Sequence, residues 1–596
     1  VRCCGAAEPA LPEAASTALL DAQAQDATKL FNEKKYTEAE ALALKLLDLA
    51  PNQRLALRVM FEIRKAQNRT QAAEVLARRL ASLPGTPAIR SAAHSQLAQF
   101  IIGQGRYADA KAPAAAALMA APRDATTHHV MGVVLTETGQ VQAGEFHYRR
   151  ALALLGREDG LVLANTAWNL KLQGRLDEAV LLYEKALALR PDNKRGVGGY
   201  AQVEMARGNT ARAISLLDEA LARWPEERTL RLLRALADLV TGNPAAVLER
   251  LGDPPEALLA AELSARGQAY ARQDRSADAV VAYASAKKML RERNGQAYAP
   301  DEFIAKAAEY KAYFTSDRVL PLPRAPAAAG PQPVFLLGFP RSGSSLLEQL
   351  LCQIPGFAAG DDAAPIADFA PAIPRLAGTE APYPAALDQL MVADGPDLPG
   401  ELRARYALAR ARLGLAREGV RFITDRAPSN AWHLGLIKLL FPEAPIIHVV
   451  RHPLDIMLSV LSQDRRLEAN CHVSMPAAAK HYALVMDLVR HYRANLTLRY
   501  LPVRYEELVQ SPAATLRRVL EFVGADPATV PHEAMLRANA GKPQDPVPAH
   551  FSVREALHAR GLYRYREYEA VMPNLFAEVR ETLKPWIAEL GYKAEP

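Results

Sequence analysis

The spacing of apolar residues changes character once along the chain. From residue 17 to 297 they recur at three- and four-residue intervals in segments rich in Ala, Leu, Arg and Glu, the pattern of amphipathic helices. The helices come in pairs. Gly139-Gln-Val-Gln-Ala143, Gly174-Arg-Leu-Asp-Glu-Ala179 and Gly208-Asn-Thr-Ala-Arg-Ala213 each lead into a second helix, and Pro191 and Pro225 close two of those second helices. Equivalent inter-helix turns are expected near Lys34, Asn68, Gly105, Gly242 and Asp274. The period is about 34 residues, giving about eight pairs with the third and last irregular. One pair cannot bury its own apolar face, so the pairs must stack into a superhelix with a concave groove. Tyr107, Tyr148, Tyr183 and Tyr200 either line that groove or pack in the core.

Beyond this array the period shortens. Asp301 to Thr315 reads as one more amphipathic helix, with Phe303, Tyr310 and Phe314 on its apolar side. Residues 319–333 hold five prolines and read as a stiff, extended linker. Short apolar runs then alternate with helical pattern: Val334–Gly338, Arg421–Thr424, Ile446–Val450 and Tyr500–Arg504. That alternation predicts a parallel sheet with helices on both faces and a ligand at the carboxyl ends of the strands. The expected organisation is a frayed tail at 1–16, a helical-repeat solenoid at 17–297, a helix and Pro-rich linker at 298–330, and an α/β domain at 331–596.

The chemistry concentrates where the first run ends, in Val334-Phe-Leu-Leu-Gly-Phe-Pro-Arg-Ser-Gly-Ser-Ser-Leu-Leu-Glu-Gln-Leu350. A strand meets a glycine- and proline-punctuated turn, and Ser344-Ser345 open a helix. A helix N-terminus leaves about four N–H groups unpaired and carries partial positive charge, so a tight loop there cradles an anion. Gly338 and Gly343 have the spacing of the Walker A glycines, G-x-x-x-x-G-K-S/T, but Ser344 stands where the lysine should be. This disfavours a nucleoside triphosphate kinase. A second strand–turn–helix unit, Pro445-Ile-Ile-His-Val-Val-Arg-His-Pro-Leu-Asp-Ile-Met-Leu-Ser459, follows, with Pro453 placed as a helix-starting proline.

The first unit resembles the 5′-phosphosulfate loop of sulfotransferases, P-R-S-G-S/T-S/T, and the second their 3′-phosphate motif. Thr424-Asp-Arg-Ala-Pro-Ser-Asn430 and Val503-Arg-Tyr-Glu-Glu-Leu508 flank the second unit as in that family. With the helical period, which is the tetratricopeptide signature, the whole chain resembles the bacterial tetratricopeptide-repeat sulfotransferases, related to the tyrosylprotein sulfotransferases. The resemblance implies a tetratricopeptide α-solenoid followed by a P-loop-like α/β sulfotransferase domain. It also implies 3′-phosphoadenosine 5′-phosphosulfate (PAPS) as sulfuryl donor and adenosine 3′,5′-bisphosphate as product.

Site residues follow from the same motifs. Arg341 is expected on the phosphosulfate, with N–H groups of Ser342, Gly343, Ser344, Ser345 and Leu346 around the 5′-phosphate and the two serine hydroxyls as further donors. Helix capping is the alternative for those serines. Arg451 and Ser459 are expected on the 3′-phosphate, Tyr505 beside the cofactor or in the core, and His452 in turn structure. Arg426 stands where relatives carry the lysine of D-K-x-P; it is expected to steady the leaving oxygen, the alternative being an ion pair with Asp425. For the general base, Asp362 falls at the position of the family's glutamate and Asp361 at the acid before it, a solvated acidic turn being the alternative. An aspartate is one methylene shorter, and a base needs hydrogen-bonding reach. Arg426-Ala-Pro428 has proline where small-molecule sulfotransferases carry histidine, which tilts the acceptor towards protein or peptide tyrosine. Near the C-terminus, segments around Phe551 and Arg564 resemble the repeat sulfotransferases. The family serine there is replaced by Ala549, with Ser552 a substitute, and Arg554 is a candidate phosphate contact.

Composition alters this picture little. Half the 596 residues are hydrophobic and 23% are charged, the composition of a soluble multidomain protein. The net charge of +6 suits an anionic cofactor, and dispersed basic residues disfavour nucleic acid. Cys3, Cys4, Cys352 and Cys471 form no metal-ligand pattern, and arginines supply the positive charge that the chemistry needs, so no metal is expected. No apolar span has membrane-crossing length and Val1-Arg-Cys-Cys4 lacks a secretion-signal core, so a cytoplasmic protein without membrane is expected. The groove is assigned to a peptide or protein acceptor, with homodimerisation or mere support of the other domain as alternatives. The opposing functional reading is a repeat scaffold whose transferase domain binds the nucleotide without turnover.

Overall fold

The computed structural model describes residues 13–252, 258–292, 295–327, 329–360, 365–391, 397–463, 466–539 and 559–593. Two compact units divide the chain, residues 1–203 and 204–596. The first holds five helical pairs, from Glu13–Asn32 with Tyr36–Leu49 to Gly160–Leu172 with Leu176–Leu189. The helix Lys194–Arg207 crosses the division, and Thr210–Arg223, Arg228–Val240, Pro244–Leu251, Ala260–Ala271 and Ser276–Glu292 follow.

Every inter-helix position expected from the pattern takes the left-handed conformation. Lys34, Asn68, Gly105, Gly139, Gly174, Gly208, Gly242 and Asp274 have φ between 56° and 89°. The residue after the turn then donates its N–H back across it, as in Lys35 N to Leu30 O at 3.0 Å and Arg175 N to Leu170 O at 3.0 Å, closing a Schellman cap. Two glycines inside the helices of the array are required for steric reasons. A Cβ on Gly132 would lie 2.7 Å from the Tyr148 ring, and one on Gly199 would collide with the Tyr183 hydroxyl. Tyr148, Tyr183 and Tyr200 are thus core residues, buried where helices cross.

In the second unit five parallel strands form one sheet in the order β2-β3-β1-β4-β5. They are β1 (Gln332–Leu337), β2 (Phe357–Ala358), β3 (Phe422–Asp425), β4 (Pro445–Val450) and β5 (Arg499–Arg504). Alternation along β1 covers both faces. Phe335 and Leu337 enter one cluster with Tyr310, Phe314 and Trp432, while Val334 and Leu336 enter another with Leu347, Leu350 and Leu516. β5 is an edge strand, which is why Pro502 is tolerated within it.

The segments before β1 pack on the sheet. Asp301–Tyr313 is a helix with Tyr310 buried, and in the Pro-rich stretch Leu322 and Ala325 are buried, the Ala325 N–H donating to Leu439 O at 2.9 Å. Ala279, Val280 and Tyr283 of Ser276–Glu292 share a cluster with Leu454, Met457, Tyr482 and Tyr565, and Arg291 Nη1 donates to Val473 O at 2.8 Å. No helix among the described residues is long and apolar enough to cross a membrane.

Candidate active site

β1 and β4 lie side by side at the centre of the sheet, so the turns that leave their carboxyl ends face each other. After β1 the chain turns through residues 338–343 into the helix Ser344–Leu351. Arg341 has φ 79° and Gly343 φ 105°, so two left-handed residues lie within three positions. For Arg341 this is a strained backbone, of the kind that persists where the surroundings fix it. Glycine is required at 343 for a second reason: a Cβ there would collide with the Tyr505 ring. At Gly338 a Cβ would collide with the Ser342 hydroxyl and approach the Val449 carbonyl to 3.0 Å.

The loop uses part of its own donor set. Ser342 N–H donates to Phe339 O at 3.0 Å and Leu346 N–H to Gly343 O at 3.0 Å. Among the described residues the N–H groups of Gly343, Ser344 and Ser345 have no such partner, so the expected five-donor cradle narrows to three consecutive groups at a helix N-terminus. Ser342 Oγ is buried and also lacks a partner among the described residues.

The turn after β4 delivers the second half. Arg451 Nη1 donates to Arg341 O at 3.3 Å and Nη2 to Gly561 O at 2.6 Å, and the guanidinium lies over the Tyr505 ring at 4.5 Å. Arg341 Nε donates to Ser459 Oγ at 3.0 Å. Arg341, Arg451, Ser459 and Tyr505, far apart in sequence, therefore meet around one loop. Arg451 Nε is buried without a partner among the described residues. His452 is structural: its N–H donates to Glu506 Oε1 at 2.9 Å, its Nδ1 accepts from Leu454 N–H, and its ring stacks on Tyr565 at 4.4 Å. Burial, helped by Arg580, Arg566 and Arg451, pushes its pKa down to about 3. Asp455 accepts the N–H groups of Tyr563 and Tyr565 at 2.8 and 2.9 Å, pinning the C-terminal segment to this turn, and burial pushes its carboxyl pKa up.

Arg426, just past β3, is not held by Asp425. Its Nε lies 2.6 Å from Glu348 Oε2, both side chains being buried, and Thr424 Oγ1 donates to the other Glu348 oxygen at 2.5 Å. The pairing with Asp425 does not occur, because strand alternation sends Asp425 to the opposite face of β3. There it accepts from Arg410 at 2.5 Å, Asn430 Nδ2 at 2.7 Å and Tyr406 OH at 2.9 Å. Arg410 also donates to Gly360 O at 3.0 Å, and Gly360 N–H donates to Thr424 Oγ1 at 3.1 Å. A Cβ on Gly360 would collide with the Thr424 carbonyl. The chain is thus fixed up to the residue before Asp361. Asp361, Asp362, Ala549, Ser552 and Arg554 themselves lie outside the described residues.

Glu348, Tyr406 and Arg410 were not singled out from the sequence. Glu348 did leave a signal there, as the one acidic residue on a short helix otherwise dominated by leucine.

The sulfotransferase family model matches residues 333–528, and a tetratricopeptide-repeat model matches residues 170–239. The chain carries a sulfotransferase domain and tetratricopeptide repeats. The sulfotransferase match takes in the 338–343 loop, Arg426, Arg451, Ser459 and Tyr505, and so supports sulfuryl transfer as the chemistry of this site. Curated relatives include nodulation protein NoeE of Sinorhizobium fredii (strain NBRC 101917 / NGR234), 31% identical over 217 residues, which are 33% of this chain and 51% of that protein. An uncharacterized protein of Aquifex aeolicus (strain VF5) is 25% identical over 278 residues, 42% of this chain and 33% of that one. The chain thus spans between a third and about half the length of these relatives. Among solved structures, the sulfotransferase domain of the Synechococcus PCC 7002 olefin synthase aligns at TM-score 0.28 and 21% identity, covering 43% of this chain and 98% of that one. A tetratricopeptide repeat protein from Parabacteroides merdae ATCC 43184 aligns at TM-score 0.33 and 18% identity, covering 39% and 91%.

The donor set of the sulfotransferase site fits a ligand with two separated anionic ends. Three N–H groups, the Ser342 hydroxyl and Arg341 gather at the helix N-terminus, and Arg451, with an unsatisfied Nε, stands across the loop beside the Tyr505 ring.

Proposed function

We propose that the protein is a PAPS-dependent sulfotransferase that modifies a hydroxyl on a peptide or protein, tyrosine being the preferred acceptor. The observation that carries this reading is the meeting of Arg341, Ser459, Arg451 and Tyr505 around a lysine-free loop with three unpaired N–H groups. PAPS supplies, when bound, an activated sulfuryl group on a 5′-phosphate and a second anionic handle at the 3′ position.

The N–H groups of Gly343, Ser344 and Ser345 would hold the 5′-phosphate, and Arg341 would offset charge on the sulfuryl oxygens. Arg451 and Ser459 would bind the 3′-phosphate, with Arg554 as a further contact. Arg426, oriented by Glu348, would steady the leaving oxygen. Asp362 would take the acceptor proton. The repeat segment, 17–297, would present the acceptor through its groove. Cys471, a buried free thiol in this structure, suits a reducing compartment, and we assign the cytoplasm.

Thermal unfolding with adenosine 3′,5′-bisphosphate tests the reading. A ligand binding only the folded state at 100 times its Kd adds about 2.7 kcal/mol. Wild type should be stabilised, Arg451→Ala should not, and ATP should act weakly. No stabilisation at millimolar bisphosphate would overturn the assignment. Stabilisation without turnover over a panel of tyrosine peptides would leave nucleotide binding and remove the acceptor class.

A further inference from the structure

A second site for an anion lies at the open edge of the sheet. β5, the helix Met475–Asn495 and the end of the helix Pro573–Glu589 enclose a cavity of about 300 Å³. It shares no lining residue with the loop site, although Val450 and Arg504 immediately precede Arg451 and Tyr505.

Four guanidiniums line the cavity, those of Arg490, Arg493, Arg504 and Arg518, against two carboxylates, Glu507 and Glu589. The carboxylates are already engaged. Glu507 pairs with Arg518 at 2.8 Å, and Glu589 lies 3.4 Å from Arg490, which also holds Asp487 at 2.5 Å. The other two arginines have no carboxylate partner among the described residues. Arg493 is exposed and lies over the Tyr500 ring at 4.5 Å; Arg504 lies over the Tyr592 ring at 4.7 Å and donates to Leu590 O at 2.5 Å. A guanidinium stacked on a ring keeps its in-plane N–H groups for a planar or tetrahedral oxyanion, for Arg504 those not given to Leu590 O. Between the arginines the lining is apolar, with Val450, Met486, Val489 and Leu590.

We propose that this cavity binds a small sulfate or phosphate monoester carried on an apolar body. Arg493 and Arg504 grip the oxyanion, and the apolar residues take the body. The volume is at the lower end for small-molecule pockets, which suits a compact ligand. The two glutamates at the rim disfavour ligands with several further negative charges.

Isothermal titration of the full chain with 4-nitrophenyl sulfate, 4-nitrophenyl phosphate and 4-nitrophenol tests this. At least one ester should bind, and the phenol at least tenfold more weakly; the two ester arms tell which oxyanion the site takes. Arg493→Glu should weaken ester binding at least tenfold, since a charge-assisted hydrogen bond is lost and repulsion added. Arg493 is exposed, so the fold should persist; Arg493→Gln, a milder change, should fall between. Arg451→Ala should leave ester affinity within twofold. No heat from either ester, equal binding of the phenol, or affinity indifferent to Arg493→Glu would overturn the proposal. Loss in Arg451→Ala would also overturn it, by moving the ligand to the loop site.

Discussion

Glu348→Gln is the most informative single change at the sulfotransferase site. The substitution keeps the side-chain shape and one acceptor oxygen but removes the charge facing Arg426 at 2.6 Å. Both side chains are at most 6% exposed, so water cannot take over the solvation of the remaining guanidinium. Removing one partner of a buried pair costs about 3–5 kcal/mol, because the guanidinium loses a buried counter-charge at close range. Thr424 Oγ1 can accept from the amide NH2 and turn its own proton to Ala358 O, 3.4 Å away, which leaves the amide oxygen to Arg426 and places the expected loss near the lower end, about 3 kcal/mol. The double variant Glu348→Gln/Arg426→Met removes both charges and should recover more than half of that loss, since buried pairs replaced by apolar groups are often neutral in stability. Urea unfolding followed by tryptophan fluorescence is the assay. Trp432 is buried in the sheet core, and the transition assigned to the second unit is the one to fit, because a chain of two compact units is not expected to unfold in one step. A loss below about 1 kcal/mol for the single variant, or a double variant no more stable than the single, would refute the argument that the pair is electrostatically coupled in a dry site.

Three further substitutions test the backbone and the turn after β4. Gly343→Ala, at φ 105° against the Tyr505 ring, should cost about 2 kcal/mol and abolish stabilisation by the bisphosphate, read by thermal unfolding with and without ligand. Gly360→Ala should cost at least about 2 kcal/mol by driving the chain off the Thr424 carbonyl; an unchanged midpoint would show that this approach is looser than described. His452 has its pKa lowered from 6.5 to about 3, so between those values the unfolded chain binds the proton more readily and stability falls as pH falls. From pH 6.5 to 4.5 this one histidine should account for about 2 kcal/mol, at 1.36 kcal/mol per unit. His452→Asn, which keeps a capping acceptor, should flatten the pH dependence of the unfolding midpoint by that amount while lowering it overall through loss of the Tyr565 stack.

How much of this was readable beforehand depends on the range over which each feature is encoded. The inter-helix turns were legible to the residue, because a left-handed cap is a local demand that Gly, Asn, Asp or Lys meets at a fixed phase of a 34-residue period. Four of the five strands were legible as apolar runs, with ends within two residues; β2, two residues long, is too short to show a period. Arg341, Arg451, Ser459 and Tyr505 could be named from motifs, and their meeting follows from β1 and β4 being neighbours. The Glu348–Arg426 and Arg410–Asp425 pairs were not legible. Each joins residues from different elements, and the face on which a strand residue emerges depends on a register that sequence alone leaves open. Tyr148, Tyr183 and Tyr200 resolved to core for a similar reason: the small residues that receive Tyr148 and Tyr183 lie sixteen positions away, on another helix.

The apolar cluster shared by Ser276–Glu292, Pro453–Leu461, Met475–Asn495 and the C-terminal helices has a consequence for how such a protein can be cut or recombined. The stretch that carries the family likeness, 333–528, is flanked on both sides by chain that completes its core: Tyr283 before it, and Tyr565, Phe576 and Trp586 after it. A fragment trimmed to the likeness would bare Leu454, Met457 and Tyr482 and lose the anchor from Arg291 to Val473. The last helical pair is therefore less an attached module than a wall of the domain that follows it. A graft of new repeats onto this sulfotransferase domain would succeed only upstream of that pair, and a library of truncations should show soluble protein ending abruptly once the start point passes residue 276.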